Sequence, residues 1–102
     1  MRRGELALAQ VGRKRRPVLV LTRSEVIDIR QLVTVAEVTT TIRGLAAEVP
    51  LDHIEVGLDR PSVINCDGIH RVAQAALSGP VGAIDEDVMH KVCSAVNHWL
   101  GC

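Results

Sequence analysis

Pro17 constrains this chain most, because it stands between four consecutive cations, Arg13-Lys14-Arg15-Arg16, and the apolar run Val18-Leu19-Val20-Leu21. Proline has no N–H to give to a ladder, so it belongs at the start of a strand or on a sheet edge. The run after it is continuously apolar, the mark of a strand buried on both faces. Fixed positive charge is thereby brought to the rim of a β-core. Guanidinium groups held on such a rim can grip and polarise a phosphate. A second segment, Val35-Ala36-Glu37-Val38-Thr39-Thr40-Thr41-Ile42-Arg43, reads as a strand that ends in three hydroxyls and another arginine.

The 102 residues suit one domain over the whole chain, and 47% apolar content is enough for a real core. Twelve basic and twelve acidic residues cancel, so net charge says nothing about partners. Their distribution says more: six of the twelve cations lie in the first sixteen positions, with Glu5 the one acid among them, which predicts a positive patch. Phe and Tyr are absent and Trp99 is the single aromatic, which counts against a surface that stacks a long nucleic-acid strand on aromatic rings. Cys66, Cys93 and Cys102 form no CxxC pair and point to reduced thiols in a cytoplasmic setting. No apolar run approaches membrane-spanning length, and the start lacks the apolar core of a signal peptide.

Periodicity predicts strands over 6–11, 18–22, 32–38, 46–51 and 62–66, with a tight basic connection over 12–16. Residues 24–30 read as a short helical turn or an excursion. Asp67-Gly68 makes either a two-residue hairpin to 69–72 or a bulge in a strand that runs on. A helical turn over 72–77 and a last strand over 81–84 follow. The clearest helix starts after Asp85, a good N-cap, with Glu86 and Asp87 at the positive end of its dipole. Ile84 and Met89 are spaced as a hydrophobic staple, Val88, Val92, Ala95, Val96 and Trp99 share one face, and Gly101 suits the C-cap. Short strands with one terminal helix predict a mainly β, α+β fold: a small, closed or nearly closed barrel with the helix packed on it.

Taken in order, Arg3-Gly4-Glu5, Arg16-Pro17-Val18-Leu19-Val20-Leu21, Val35-Ala36-Glu37-Val38-Thr39-Thr40, Val49-Pro50-Leu51, Gly57-Leu58, Ser62-Val63-Ile64-Asn65-Cys66-Asp67 and Gly82-Ala83-Ile84 with Met89 resemble the MazF/PemK family of toxin endoribonucleases. The resemblance spans essentially the whole chain. It implies an SH3-like barrel of the kind shared with the CcdB gyrase poisons, assembled as a homodimer. It also implies sequence-specific cleavage of single-stranded RNA, of the mRNA-interferase type, by attack of the ribose 2′-hydroxyl and without metal or other cofactor. The partner it implies is a MazE-like antitoxin whose C-terminal segment fills the RNA groove. The family's catalytic arginine falls on Arg16, its threonine on Thr39, and the aspartate that some members use as base on Asp67. Three departures stand out. The first loop lacks the Gly-Ser-Glu-Gln of many members, Ala7 replaces a tryptophan, and Asn65 replaces an arginine found in some.

Cleavage through the 2′-hydroxyl needs a base, a stabiliser of charge on phosphorus, and an acid for the leaving oxygen. Arg16 suits the second task, because its planar donors match phosphate oxygens and it stays charged. The alternative is a rim charge or an ion pair with Glu37 or Asp67. Thr39 can donate to a phosphoryl oxygen, or serve strand propensity alone. Arg13, Lys14, Arg15, Thr40, Thr41 and Arg43 are candidates for RNA binding, or for a solvated loop. Asp67 is a base or a turn cap. His53 and His70 are weaker candidates near the site, His90 and His98 belong to the outer side of the helix, and no set has metal-ligand spacing. Two other functions remain: a non-catalytic toxin that binds a protein such as gyrase, and a degenerate member that only occupies an antitoxin.

Overall fold

The computed structural model describes every residue except Gly12 and Cys102. Gly12, expected in the basic connection, and Cys102, one of the three thiols, lie outside the described residues. The strands are β1 (Glu5–Val11), β2 (Lys14–Val20), β3 (Leu32–Thr39), β4 (Glu48–Leu51), β5 (Ser62–Ala73) and β6 (Leu77–Ala83). A four-residue helix, α1 (Ser24–Ile27), follows β2, and α2 (Glu86–Leu100) ends the fold. The strands make one antiparallel sheet in the order β4-β5-β3-β2-β1-β6.

Alternation along the strands splits the core in two, because successive side chains point to opposite faces. Leu6, Leu19, Ala36, Val38, Ile64 and Cys66 bury one face together with Val92 of α2. Ala7, Ala9, Val18, Val20, Val33 and Val35 bury the other with Ile27 of α1. This is why Val18-Leu19-Val20 is apolar without a break: this end of β2 has no solvent face, whereas Lys14, Arg15 and Arg16 at its start are exposed. Ala7 is fully buried in the second core, so the residue is small because the site is filled. Burial, and secondarily the Cys93 thiol, push Cys66 up to about 11, which keeps it a neutral core thiol.

The terminal helix is built as its residues dictate. The Asp85 carboxylate accepts from the Val88 N–H at 2.8 Å, Ile84 and Met89 pack against the first core, and Gly101 closes the helix in the left-handed region at φ 73°. Trp99 departs from expectation. It is 56% exposed, one turn beyond the stripe of Val88, Val92, Ala95 and Val96 that meets the sheet.

Three expectations about the sheet are corrected. The basic segment is not a connection from 12 to 16, since Lys14, Arg15 and Arg16 already pair with β1. The helical turn over 72–77 shrinks to a 3-10 turn at Gln74–Ala76, between a longer β5 and a longer β6. The barrel is not closed: among the described residues no ladder joins β4 to β6. Instead the turn after β4 packs against β6. A Cβ added at Gly82 would lie 2.1 Å from the Val56 carbonyl oxygen, so only glycine admits this approach. The obstacle is backbone, which cannot swing aside as a side chain does. Gly82→Ala is expected to destabilise by about 1–3 kcal/mol, read as a lower urea midpoint.

Candidate active site

The register between β2 and β3 organises the site. Val20 pairs with Val35, Leu19 with Ala36 and Val18 with Glu37. The pairing ends there, and strand alternation puts Arg16 and Thr39, each two residues further, on the face that carries Val18 and Glu37. Beyond Thr39 the chain turns over itself. The Thr39 hydroxyl oxygen accepts from the Thr41 N–H at 3.1 Å. Glu48, at the start of β4, accepts from the N–H groups of Arg43, Gly44 and Leu45, with 2.8 Å to Gly44. The loop that carries Arg43 is therefore tied down by a carboxylate that is already spent on backbone.

A bulge in β5 supplies the opposite wall. Ala36 pairs with Ile69 and Glu37 with Asn65, so β3 advances one residue while β5 advances four. Cys66, Asp67 and Gly68 are the surplus. Of the two readings of Asp67-Gly68, the continuous strand with a bulge is the one that forms, and no hairpin turn is made. Asn65, not Asp67, bonds the local backbone: its Oδ1 accepts from the Asp67 N–H at 3.2 Å. Past the bulge, His70 pairs with Val35 and shares its face with Glu37, and the two side chains meet at 3.4 Å, Nε2 to Oε2. Among the described residues neither Glu37 nor Asp67 forms an ion pair with Arg16.

These elements enclose a cleft of about 460 Å³ on the second-core face. Arg16, Thr39 and Asp67, the three catalytic candidates, all line it, as do Thr41 and Arg43. Arg13, Lys14, Arg15 and Thr40 do not line it. The first three form an exposed rim, and Arg15 reaches across β1 to the Ser78 hydroxyl at 3.4 Å. Sequence reasoning passed over Arg71 and Glu37 as site residues and ranked His70 low, yet all three line the cleft. The signal was the period of the strand: His70 and the pair Val35 and Glu37 come to one face only once the bulge is counted. Arg71 is a third arginine in the cleft lining, with Arg16 and Arg43. Among the described residues no group of three or more His, Cys, Asp or Glu gathers as metal ligands.

An open antiparallel sheet with one terminal helix, and a cleft of arginines, hydroxyls and carboxylates at its rim, defines a small α+β protein with a cleft suited to phosphate. Comparison with known proteins supplies the family. The family described as PemK-like, MazF-like toxins of type II toxin–antitoxin systems matches residues 2–100, and the chain belongs to it. Endoribonuclease MazF3 of Mycobacterium tuberculosis is 48% identical over 69 residues, which are 68% of this chain and 66% of that one. Probable endoribonuclease MazF2 of the same organism is 36% identical over 102 residues, the full length of both. The solved structure of the Mycobacterium tuberculosis toxin MazF-mt6 superposes with a TM-score of 0.89 at 37% identity, covering 95% of this chain and 96% of that one.

Proposed function

We propose that this chain is the toxin of a type II pair and cuts single-stranded RNA as a sequence-specific, metal-independent endoribonuclease. The observation that carries the reading is that Arg16, Thr39 and Asp67, drawn from three different strands, line one cleft. The relatives named as endoribonucleases support it. Arg16 offers paired donors to the phosphoryl oxygens as charge grows on phosphorus. Thr39 adds a hydroxyl donor. Its oxygen accepts from the Thr41 N–H, so its own hydrogen is directed elsewhere. Asp67 takes the proton of the 2′-hydroxyl, from a bulge where, among the described residues, no backbone group engages its carboxylate in place of substrate. The 2′-oxygen then bonds phosphorus, and the bond to the 5′-oxygen breaks. The products are a 2′,3′-cyclic phosphate and a 5′-hydroxyl.

In this reading residues 1–102 act as one toxin domain, as a homodimer, in the cytoplasm. No described helix is long and apolar enough to cross a membrane. The partner is a MazE-like antitoxin that covers the cleft, in keeping with the family's place in toxin–antitoxin systems. The exposed cations Arg13, Lys14 and Arg15 contact phosphates that flank the cut, and Thr40, Thr41 and Arg43 line the path of the strand. A gyrase-directed binder would need none of the groups in the cleft.

The test is to incubate purified protein with a long RNA in EDTA and map the ends. Cuts at a recurring short sequence, with cyclic phosphate on the upstream fragment, are expected. Intact RNA, or cutting that chelator abolishes, sinks the reading.

A further inference from the structure

The geometry points to His70 as the acid that protonates the leaving 5′-oxygen, with Glu37 as the residue that positions it. This rests on the endoribonuclease reading above and adds the one proton transfer that reading leaves without a donor. Arg16 cannot serve, since a guanidinium does not give up its proton in a protein. Glu48 is engaged by the backbone of residues 43–45, and Asp67 is occupied as the base. Imidazole exchanges protons near neutral pH, and among the described residues His70 is the one histidine that lines the cleft.

Three observations make this a built arrangement. The Glu37 Oε2 lies 3.4 Å from Nε2 of His70, within ion-pair distance, so the carboxylate attracts this edge of the ring while Nδ1 is left to exchange a proton. Both side chains stand about half exposed, open to a ligand in the cleft. Gly68 leaves the niche in which the Glu37 carboxylate sits: a Cβ there would come within 2.0 Å of Oε2. The bulge thus has two effects, lifting Asp67 out of the ladder and clearing room for the carboxylate that holds His70. In the reaction the electron pair of the breaking bond between phosphorus and the 5′-oxygen stays on oxygen. The Nδ1 proton of the imidazolium transfers to it, leaving neutral His70 with its remaining proton on Nε2, beside Glu37. Solvent then reprotonates Nδ1 and deprotonates Asp67.

The experiment uses two oligoribonucleotides that carry a cut site mapped in long RNA. One is natural, and the other bears sulfur in place of the scissile 5′-oxygen, a leaving group that departs without protonation. Single-turnover rates are measured for the wild type, His70→Gln, Glu37→Gln and Gly68→Ala. His70→Gln is expected to be slower on the natural substrate by about a hundredfold or more and to cut the sulfur substrate at nearly the wild-type rate. Glu37→Gln and Gly68→Ala are expected to show smaller losses that the sulfur substrate also erases, which a merely structural defect would not do. Equal slowing on both substrates, or no slowing on the natural one, overturns the proposal while leaving the endoribonuclease reading intact. Should His70→Gln fail to fold, the same comparison in Glu37→Gln decides. A wild type that cuts neither substrate removes the parent reading, and this one with it.

Discussion

Arg16→Ala is expected to lower the single-turnover rate of RNA cleavage by about a hundred- to a thousandfold, roughly 2.7–4 kcal/mol of transition-state stabilisation. The argument is electrostatic. Charge on the phosphoryl oxygens grows as the 2′-oxygen adds, and a donor already in place meets it without reorganisation. Arg16 is placed by a strand rather than a loop, through its pairing with Ala9, and strand alternation turns it to the face of Val18. Its side chain is exposed and holds no ion pair with Glu37 or Asp67, so its removal leaves no buried charge uncompensated. The thermal midpoint is therefore expected to stay near that of the wild type. Arg16→Lys separates the two contributions of the side chain. It keeps the charge but loses the bidentate fork, so RNA binding is expected to survive better than cleavage. Cleavage that persists in Arg16→Ala at the wild-type rate would remove this residue from the chemistry.

The second large effect concerns stability. Leu19→Ala is expected to cost about 2–5 kcal/mol, measured by urea unfolding with an unchanged m-value. Leu19 is 0% exposed and pairs with Leu6 on one side and Ala36 on the other, all in the core that α2 covers. A cavity there opens between sheet and helix, where a rigid strand on one side and a capped helix on the other limit collapse. In a chain of this size each kcal/mol moves the melting midpoint by roughly 4–8 °C. The same strand carries Arg16 at its other end, so the residual folded protein is expected to retain its specific activity at low temperature. A loss of less than about 1 kcal/mol would show that this site relaxes, contrary to the packing described.

Much of the molecule was legible from local chemistry. The α2 N-cap at Asp85, the Ile84 and Met89 staple and the Gly101 cap follow from rules that act within a single turn. The strand after Pro17 follows from one missing donor and an unbroken apolar run. The errors cluster where a residue's state depends on distant partners. Lys14, Arg15 and Arg16 look like a solvated connection by composition, yet β1 pairs with them. Trp99 continues the apolar stripe of the helix, but the sheet ends before it does. The open edge between β4 and β6 has no signature of its own, because closure depends on how far a coiled sheet turns.

Local chemistry along the chain sets the inventory: an arginine fixed at a strand rim, a strand ending in hydroxyls, a capped terminal helix, and a core built without Phe or Tyr. Which of these groups share a cleft follows from the folded arrangement. Three surplus residues in β5 bring His70 onto the face of Glu37 and lift Asp67 free of the ladder, while Gly82 is glycine because the distant Val56 carbonyl occupies the space of a Cβ. Periodicity reports which way each side chain points along its own strand. Register and bulges report what it meets, and those are set by pairing free energies between segments far apart in the chain.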